Sequence, residues 1–164
     1  MKNIIAALLL LLVFKTVPYH LHAQSVQLPN PMIAMASLEE VNEEAQVNLC
    51  LPPVMGVTDQ SYTLLEGVPA IGELRYVLGG YSYTFRACRG TENDISGVWL
   101  EQGTAFPDHA GEGIAFARTE EVKLARWFHA SVQYVLMVED KGELDENAFA
   151  VIAQEMADRT DPAF

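Results

Sequence analysis

Positive charge is scarce in this chain, and its scarcity excludes one class of partner. The 164 residues include 10 lysines and arginines against 22 aspartates and glutamates, which gives a net charge of −12. A surface of that sign repels phosphate backbones and anionic lipid. We therefore predict no binding to nucleic acid. The acids are dispersed, so solubility is the simplest interpretation of the excess, and attraction of cations or basic partners is the alternative.

Catalytic and metal-binding motifs are also missing. The chain has no Gly-x-Ser-x-Gly, His-x-x-x-His, His-Glu-x-x-His or Cys-x-x-Cys pattern and no glycine-rich phosphate loop. Zinc sites need three or four ligands at fixed spacing, so we predict no metal, no cofactor and no catalytic residue. One loop holds Asp108, His109 and Glu112. It leaves a hydrolase-like or metal-dependent enzyme with a cryptic site as an alternative.

The longest apolar run, from Ile4 to Phe14, lies at the N-terminus between Lys2 and Lys15. A basic start, a short apolar core and a small residue at the cleavage point are typical of a secretory signal. We predict a signal peptide over residues 1–23 and a secreted or cell-envelope protein. The run is shorter than the roughly 20 residues of a membrane-spanning helix, and association with a membrane would require its retention as an anchor.

Only two cysteines are present, Cys50 and Cys88. Export permits a disulfide between them, and two buried free thiols fit equally well. A bridge needs Cα atoms within roughly 4.4–6.8 Å of each other, which the sequence does not show. Both alternatives therefore stay open.

The segment after the leader has the length of one domain. Residues 24–35 contain two prolines and predict an extended lead-in; residues 36–158 then form a single domain and residues 159–164 a frayed tail. Ser37 stands three residues before Glu40, which is the capping-box spacing, and predicts a helix over residues 37–45. Asp145 is the predicted cap of a closing helix whose apolar stripe comprises Phe149, Ile152, Ala153 and Met156.

The segments between the two helices predict strands, because apolar residues alternate between glycine- and proline-rich turns. Gly79-Gly80 separates two of them and indicates a tight hairpin. The predicted strands cover residues 47–51, 62–65, 73–78, 81–88, 98–100, 114–117, 122–127 and 132–138. We predict an α+β fold, with an antiparallel sheet of about seven or eight strands and an N-terminal and a C-terminal helix packed on it.

Aromatic residues are the most suggestive feature for function. Tyr83, Trp99, Trp127 and Tyr134 lie on predicted strands. Beneath the helices such side chains fill the core. On an uncovered sheet face they line a groove for an apolar ligand or an envelope protein.

The order of several short segments resembles a bacterial family of unknown function, domain family 4367. The resemblance spans about residues 29–156 and is carried by Pro29–Met32, Ala36–Glu40, Leu51-Pro52, Tyr83–Arg86, Gly90–Gly97 and Leu124–Trp127. It implies a domain outside the cytoplasmic membrane, exported or tethered, and it implies no activity. The chain departs from the family at Val98-Trp99-Leu100, where relatives tend to have Asp-Tyr-Asn.

These patterns favour an exported, non-catalytic binding or interaction module. The enzyme with a cryptic site is one alternative. A structural accessory domain without a ligand is the other.

Overall fold

The structure, a computed structural model, describes residues 31–90, 93–98, 104–105, 113–140 and 143–160. Within these ranges one antiparallel sheet has the strand order β1-β2-β3-β4-β8-β7-β6-β5. Its strands are β1 (Met32–Ala34), β2 (Thr58–Leu65), β3 (Ile71–Leu78), β4 (Tyr81–Arg89), β5 (Thr104–Ala105), β6 (Ile114–Arg118), β7 (Val122–His129) and β8 (Val132–Glu139). The helices are α1 (Leu38–Ala45) and α2 (Glu146–Thr160).

Both helices pack on the same face of the sheet, which we call the helix face. Alternate residues of a strand point to opposite faces, and those on the helix face form the main core. Val41 of α1 and Phe149 of α2 are fully buried there. From the sheet the core receives Leu74, Tyr76, Tyr83, Phe85, Trp127, Tyr134, Leu136 and Val138. The α+β prediction, with two helices on one antiparallel sheet, is confirmed.

The two helices begin at the residues that the sequence predicts. Ser37 Oγ accepts a hydrogen bond from Glu40 N at 3.2 Å, and the Glu40 carboxylate accepts one from Ala36 N at 2.8 Å. Asp145 Oδ1 accepts a hydrogen bond from Ala148 N at 3.0 Å. Each cap satisfies amides that have no partner in the first helical turn.

The hairpin between β3 and β4 is the one that Gly79-Gly80 predicts. Both glycines have positive φ, 61° and 86°, and a two-residue turn of that kind matches the twist of the strands. Leu78 therefore pairs with Tyr81, and the register continues to Ile71 opposite Cys88. This register decides which charged residues of the two strands meet.

The prediction of a strand over residues 47–51 is wrong, because these residues form neither a strand nor a helix. The backbone N–H and C=O of Leu49 bond to the Asn42 side chain, at 2.7 and 2.9 Å, instead of to a neighbouring strand. The alternation arises because Leu49 is buried under α1. The sequence also misses β1, inside the predicted lead-in, and β5. Val98 is not in a strand, and the rest of that predicted strand lies outside the described residues.

The predicted signal peptide, residues 1–23, also lies outside the described residues. Of the two helices in the described part of the chain, neither is long and apolar enough to cross a membrane.

Buried tyrosines predict an alkaline unfolding transition. Burial raises the pKa of Tyr83 to about 12, with a smaller contribution from Tyr81, and burial also raises the pKa values of Tyr76 and Tyr134. An exposed tyrosine has a pKa of about 10. The folded protein therefore keeps protons that the unfolded chain releases, so stability that is complete below pH about 10 falls as the pH rises toward 12.

In a pH titration we expect the phenolate absorbance of these tyrosines to appear at the same pH at which the circular dichroism signal is lost. Tyr83→Phe removes one of the coupled protons and should move the midpoint to higher pH. Complete phenolate formation with an unchanged circular dichroism spectrum would contradict this account.

Candidate functional site

Three of the four aromatic residues proposed for binding lie in the core. Tyr83, Trp127 and Tyr134 are 2%, 3% and 2% exposed. Trp127 and Tyr134 stack with centroids 5.6 Å apart, and Phe85 stacks on both of them. Trp127 Nε1 donates a hydrogen bond to Thr160 Oγ1 at 3.0 Å, which ties β7 to the end of α2. The structure thus gives these side chains the packing role that the sequence left open. Trp99 lies outside the described residues.

The two cysteines are free and lie on opposite faces of the sheet. Cys50 packs against the core on the helix face, whereas Cys88 belongs to a second apolar cluster on the other face. The sheet between them excludes a disulfide in this fold, so of the two alternatives the free thiols are the one observed. Burial raises the pKa of both thiols. Because the thiolate is the reactive form, neither cysteine has the environment of a nucleophile.

The loop proposed for a metal-dependent enzyme, with Asp108, His109 and Glu112, lies outside the described residues. Elsewhere, the described ranges contain no group of three histidine, cysteine, aspartate or glutamate side chains arranged to hold a metal ion.

The face of the sheet opposite the helices carries an open groove of about 430 Å³, which we call the sheet groove. It crosses strands β2, β3, β4 and β8 and is bounded on one side by the segment Ser96–Val98. Its lining includes Ser61, Arg75, Thr84, Val98, Met137 and Glu139. This volume lies within the roughly 300–1,000 Å³ of small-molecule sites.

One wall of the groove contains a buried carboxylate between two arginines. Glu73 is 0% exposed, and its two oxygens lie 2.7 Å from Arg75 Nε and 2.7 Å from Arg86 Nε. The arginine side chains are 50% and 16% exposed. A buried carboxylate is tolerated when charged donors satisfy it, as they do here. Two cations share this one anion, and the other carboxylates of the groove, Asp59 and Glu139, lie on β2 and β8.

Arg86 also fixes the segment that borders the groove. Its Nη1 donates to the carbonyl oxygens of Ile95 and Ser96, at 3.1 and 2.6 Å. Gly97 has φ of 69°, and a Cβ at that position would lie 3.0 Å from Arg86 Nη1. Asp94 accepts hydrogen bonds from the backbone N–H and the hydroxyl of Ser96. The Ile95-Ser96-Gly97 segment therefore forms a turn that binds the Arg86 guanidinium.

Arg75 differs from Arg86 in that its terminal nitrogens are available. Its Nε is held by Glu73, and among the described residues its two Nη atoms have no hydrogen-bond partner. The hydroxyls of Ser82 and Thr84 also line the groove. Two acids complete the lining, Asp59 on β2 and Glu139 on β8. The groove thus presents a cation, hydroxyls and carboxylates on one surface.

Sequence reasoning missed this cluster, although its central pair could be derived. Counting outward from the Gly79-Gly80 turn places Glu73 opposite Arg86, which is the pairing observed. Glu73 and Arg75 are two residues apart on one strand and so share a face. The register thus predicts the three side chains as neighbours, but it does not show that Glu73 is buried.

The comparisons provide no relative for this site. No protein-family profile matches the chain, and neither a curated protein nor a solved structure matches it.

Proposed function

We propose that this chain is an exported, non-catalytic binding domain and that the sheet groove is its ligand site. The observation that carries the proposal is the arrangement of charge around an open groove: Arg75 offers unpaired donors there while Glu73, fully buried, holds its guanidinium in place. Holding two arginines on one buried carboxylate restricts their side chains before any ligand arrives. Such preorganisation is typical of binding sites.

Export is part of the proposal and rests on the predicted signal peptide. The resemblance to domain family 4367 agrees with it, because members of that family lie outside the cytoplasmic membrane. The aromatic residues support the fold rather than the site, since three of them are packed beneath the helices. The sequence favoured an apolar ligand. The sheet groove has several charged and hydroxyl groups, so we now expect a polar ligand instead.

The groove offers hydroxyls and carboxylates, but its lining within the described residues includes no histidine that could act as a general base. Hydrolysis needs a nucleophile or an activated water beside a general base and an oxyanion site. Ser82 and Thr84 line the groove, but the described part of the chain places no histidine among the residues around them. Binding without chemistry is therefore the function that this geometry supports best.

A thermal-shift screen against separate ligand classes tests the proposal. The classes are amino acids and peptides, sugars, fatty acids and nucleotides. We expect at least one class to raise the melting temperature, because a ligand that binds only the folded state stabilises it. Ser82→Trp fills the groove from an exposed position and should abolish the shift.

Val151→Trp adds comparable bulk at an exposed position of α2 and should leave that shift unchanged. A protein that no class stabilises would instead favour the structural accessory domain. A shift that persists in Ser82→Trp would place the site elsewhere.

A further inference from the structure

We propose that the sheet groove binds a short zwitterionic peptide, with its C-terminal carboxylate on Arg75 and its N-terminal ammonium beside Glu139. This inference rests on the proposed function and names the ligand of the same site.

The positive end of the groove is suited to a carboxylate. The Arg75 guanidinium is anchored through Nε at 2.7 Å from Glu73, which leaves the edge formed by its Nη atoms as donors. A planar guanidinium binds a carboxylate through two parallel hydrogen bonds, and the resulting pair is stronger than a neutral one. Arg75 is half exposed, so a ligand reaches it without any movement of the sheet.

The acids of the groove lie on both sides of Arg75. Asp59 is exposed on β2, the strand next to that of Arg75, and Glu139 is exposed on β8, two strands away on the other side; both line the groove. Among the described residues Glu139 has no ion-pair partner. Two carboxylates repel a polyphosphate or a nucleotide, and the net charge of −12 adds to that repulsion. They attract the ammonium of a ligand whose carboxylate lies on Arg75.

The spacing of the two ends sets the size of the ligand. Arg75 pairs with Thr84, Thr84 pairs with Met137, and Glu139 follows two residues along β8. Strands are about 4.8 Å apart and rise about 3.4 Å per residue, so the Cα atoms of Arg75 and Glu139 are separated by about 12 Å. The Arg75 guanidinium leans toward Glu73, which lies farther from Glu139 along the strands, so the side chains do not shorten that span. An extended peptide covers at most about 3.3–3.6 Å per residue, which corresponds to three or four residues.

The middle of the groove complements a peptide backbone and its side chains. Ser82 and Thr84 offer hydroxyls that have no hydrogen-bond partner among the described residues. Val98 and Met137 form an apolar wall on the side of the Ser96–Val98 segment. Hydroxyls can bond peptide N–H and C=O groups, and the apolar wall can pack against side chains. The two hydroxyl residues lie on β4, between the strand of Arg75 and the strand of Glu139.

The experiment titrates the purified protein with random-sequence tripeptides that have free termini, followed by amide and arginine Nε signals in NMR spectra. We expect shifts confined to residues of the groove. A C-terminally amidated pool and an N-acetylated pool should each bind about tenfold more weakly, because each loses one charge-assisted contact. Free alanine tests whether a single amino acid is enough.

Two variants test which terminus of the peptide each charged residue of the groove binds. Arg75→Gln should bind the free and amidated pools equally, and Glu139→Gln should bind the free and acetylated pools equally. The matched controls are Arg126→Gln, on the same sheet face but outside the groove lining, and Glu120→Gln, an exposed acid outside it; both should behave as the parent protein.

The outcomes separate this inference from the proposed function. Equal binding of all three pools by the parent protein overturns the zwitterion. If no peptide binds but another ligand class stabilises the protein, the zwitterionic peptide is also overturned, whereas the proposed function as a binding domain is retained. If no class binds, both proposals fail.

Discussion

Replacing Trp127 with alanine should lower the free energy of unfolding by about 3–5 kcal/mol, the usual cost of deleting a buried aromatic ring. The ring lies between β7 and α2, stacks on Phe85 and Tyr134, and donates a hydrogen bond to Thr160. The cavity would open where the helix joins the sheet. Urea unfolding followed by circular dichroism measures the loss.

The neighbouring residue provides the control. Phe128 points to the opposite face and is 52% exposed, so Phe128→Ala should change stability by no more than about 0.5 kcal/mol. If the alanine variant does not fold, Trp127→Phe replaces it in this test. Phenylalanine keeps most of the volume of the ring, so the loss of unfolding free energy should be smaller than the loss expected for alanine but larger than that of Phe128→Ala. A Trp127→Ala protein of near-parent stability that has lost its ligand would make Trp127 a binding residue and would contradict the core assignment.

The difference between these two adjacent aromatic residues shows what the sequence could predict. Period-two alternation in β7 and β8 assigns Trp127 and Tyr134 to one face, and the apolar stripe of α2 supplies a helix to cover it. The central strands and both helix caps follow from such local rules. The same rules cannot say which face of the sheet is covered, so the aromatic pattern left both a core and a groove open.

The errors have a common physical cause, which is pairing at a distance. Leu49 alternates as a strand residue does, but the side chain of Asn42, seven residues earlier, takes its backbone hydrogen bonds. Met32–Ala34 becomes a strand because it meets Thr63–Leu65, about thirty residues later. Glu73 reads as an ordinary charged strand residue until Arg86 and the segment at Ile95 close over it. Local patterns carry no information about the first two of these pairings, and for Glu73 they give the pairing with Arg86 but not the burial.

A second buried ion pair, between Lys123 and Asp140, predicts the other large effect. Lys123 and Asp140 are 6% and 4% exposed and form a salt bridge. Asp140 Oδ1 also accepts hydrogen bonds from the backbone N–H groups of Glu143 and Leu144, at 2.9 and 3.0 Å, just before α2 begins. Asp140→Asn keeps an acceptor for those two amides but removes the charge. Because it leaves a buried ammonium without its carboxylate, we expect a loss of about 3–5 kcal/mol.

The pH dependence of that variant provides an independent check. Burial lowers the pKa of Lys123 below that of an exposed lysine, and the nearby Glu146 opposes the shift. Loss of the Asp140 charge should lower the pKa further. Between that folded-state pKa and the ordinary value near 10.4, the unfolded chain binds more protons, so stability rises with pH. Asp140→Asn should therefore regain stability as the pH rises toward about 10, and the parent protein should gain less.

Removing the lysine as well distinguishes an uncompensated charge from a general loss of packing. In Lys123→Met/Asp140→Asn no charge remains in the pair, and methionine keeps most of the apolar length of lysine. The double variant should be more stable than Asp140→Asn alone, because a buried pair is costly to break on one side but cheap to replace with apolar groups. If the second substitution adds to the damage, or if Asp140→Asn costs less than about 1 kcal/mol, the ion pair does not hold α2 to the sheet. The start of the helix would then depend on the Glu143 and Leu144 amide bonds and the Asp145 cap.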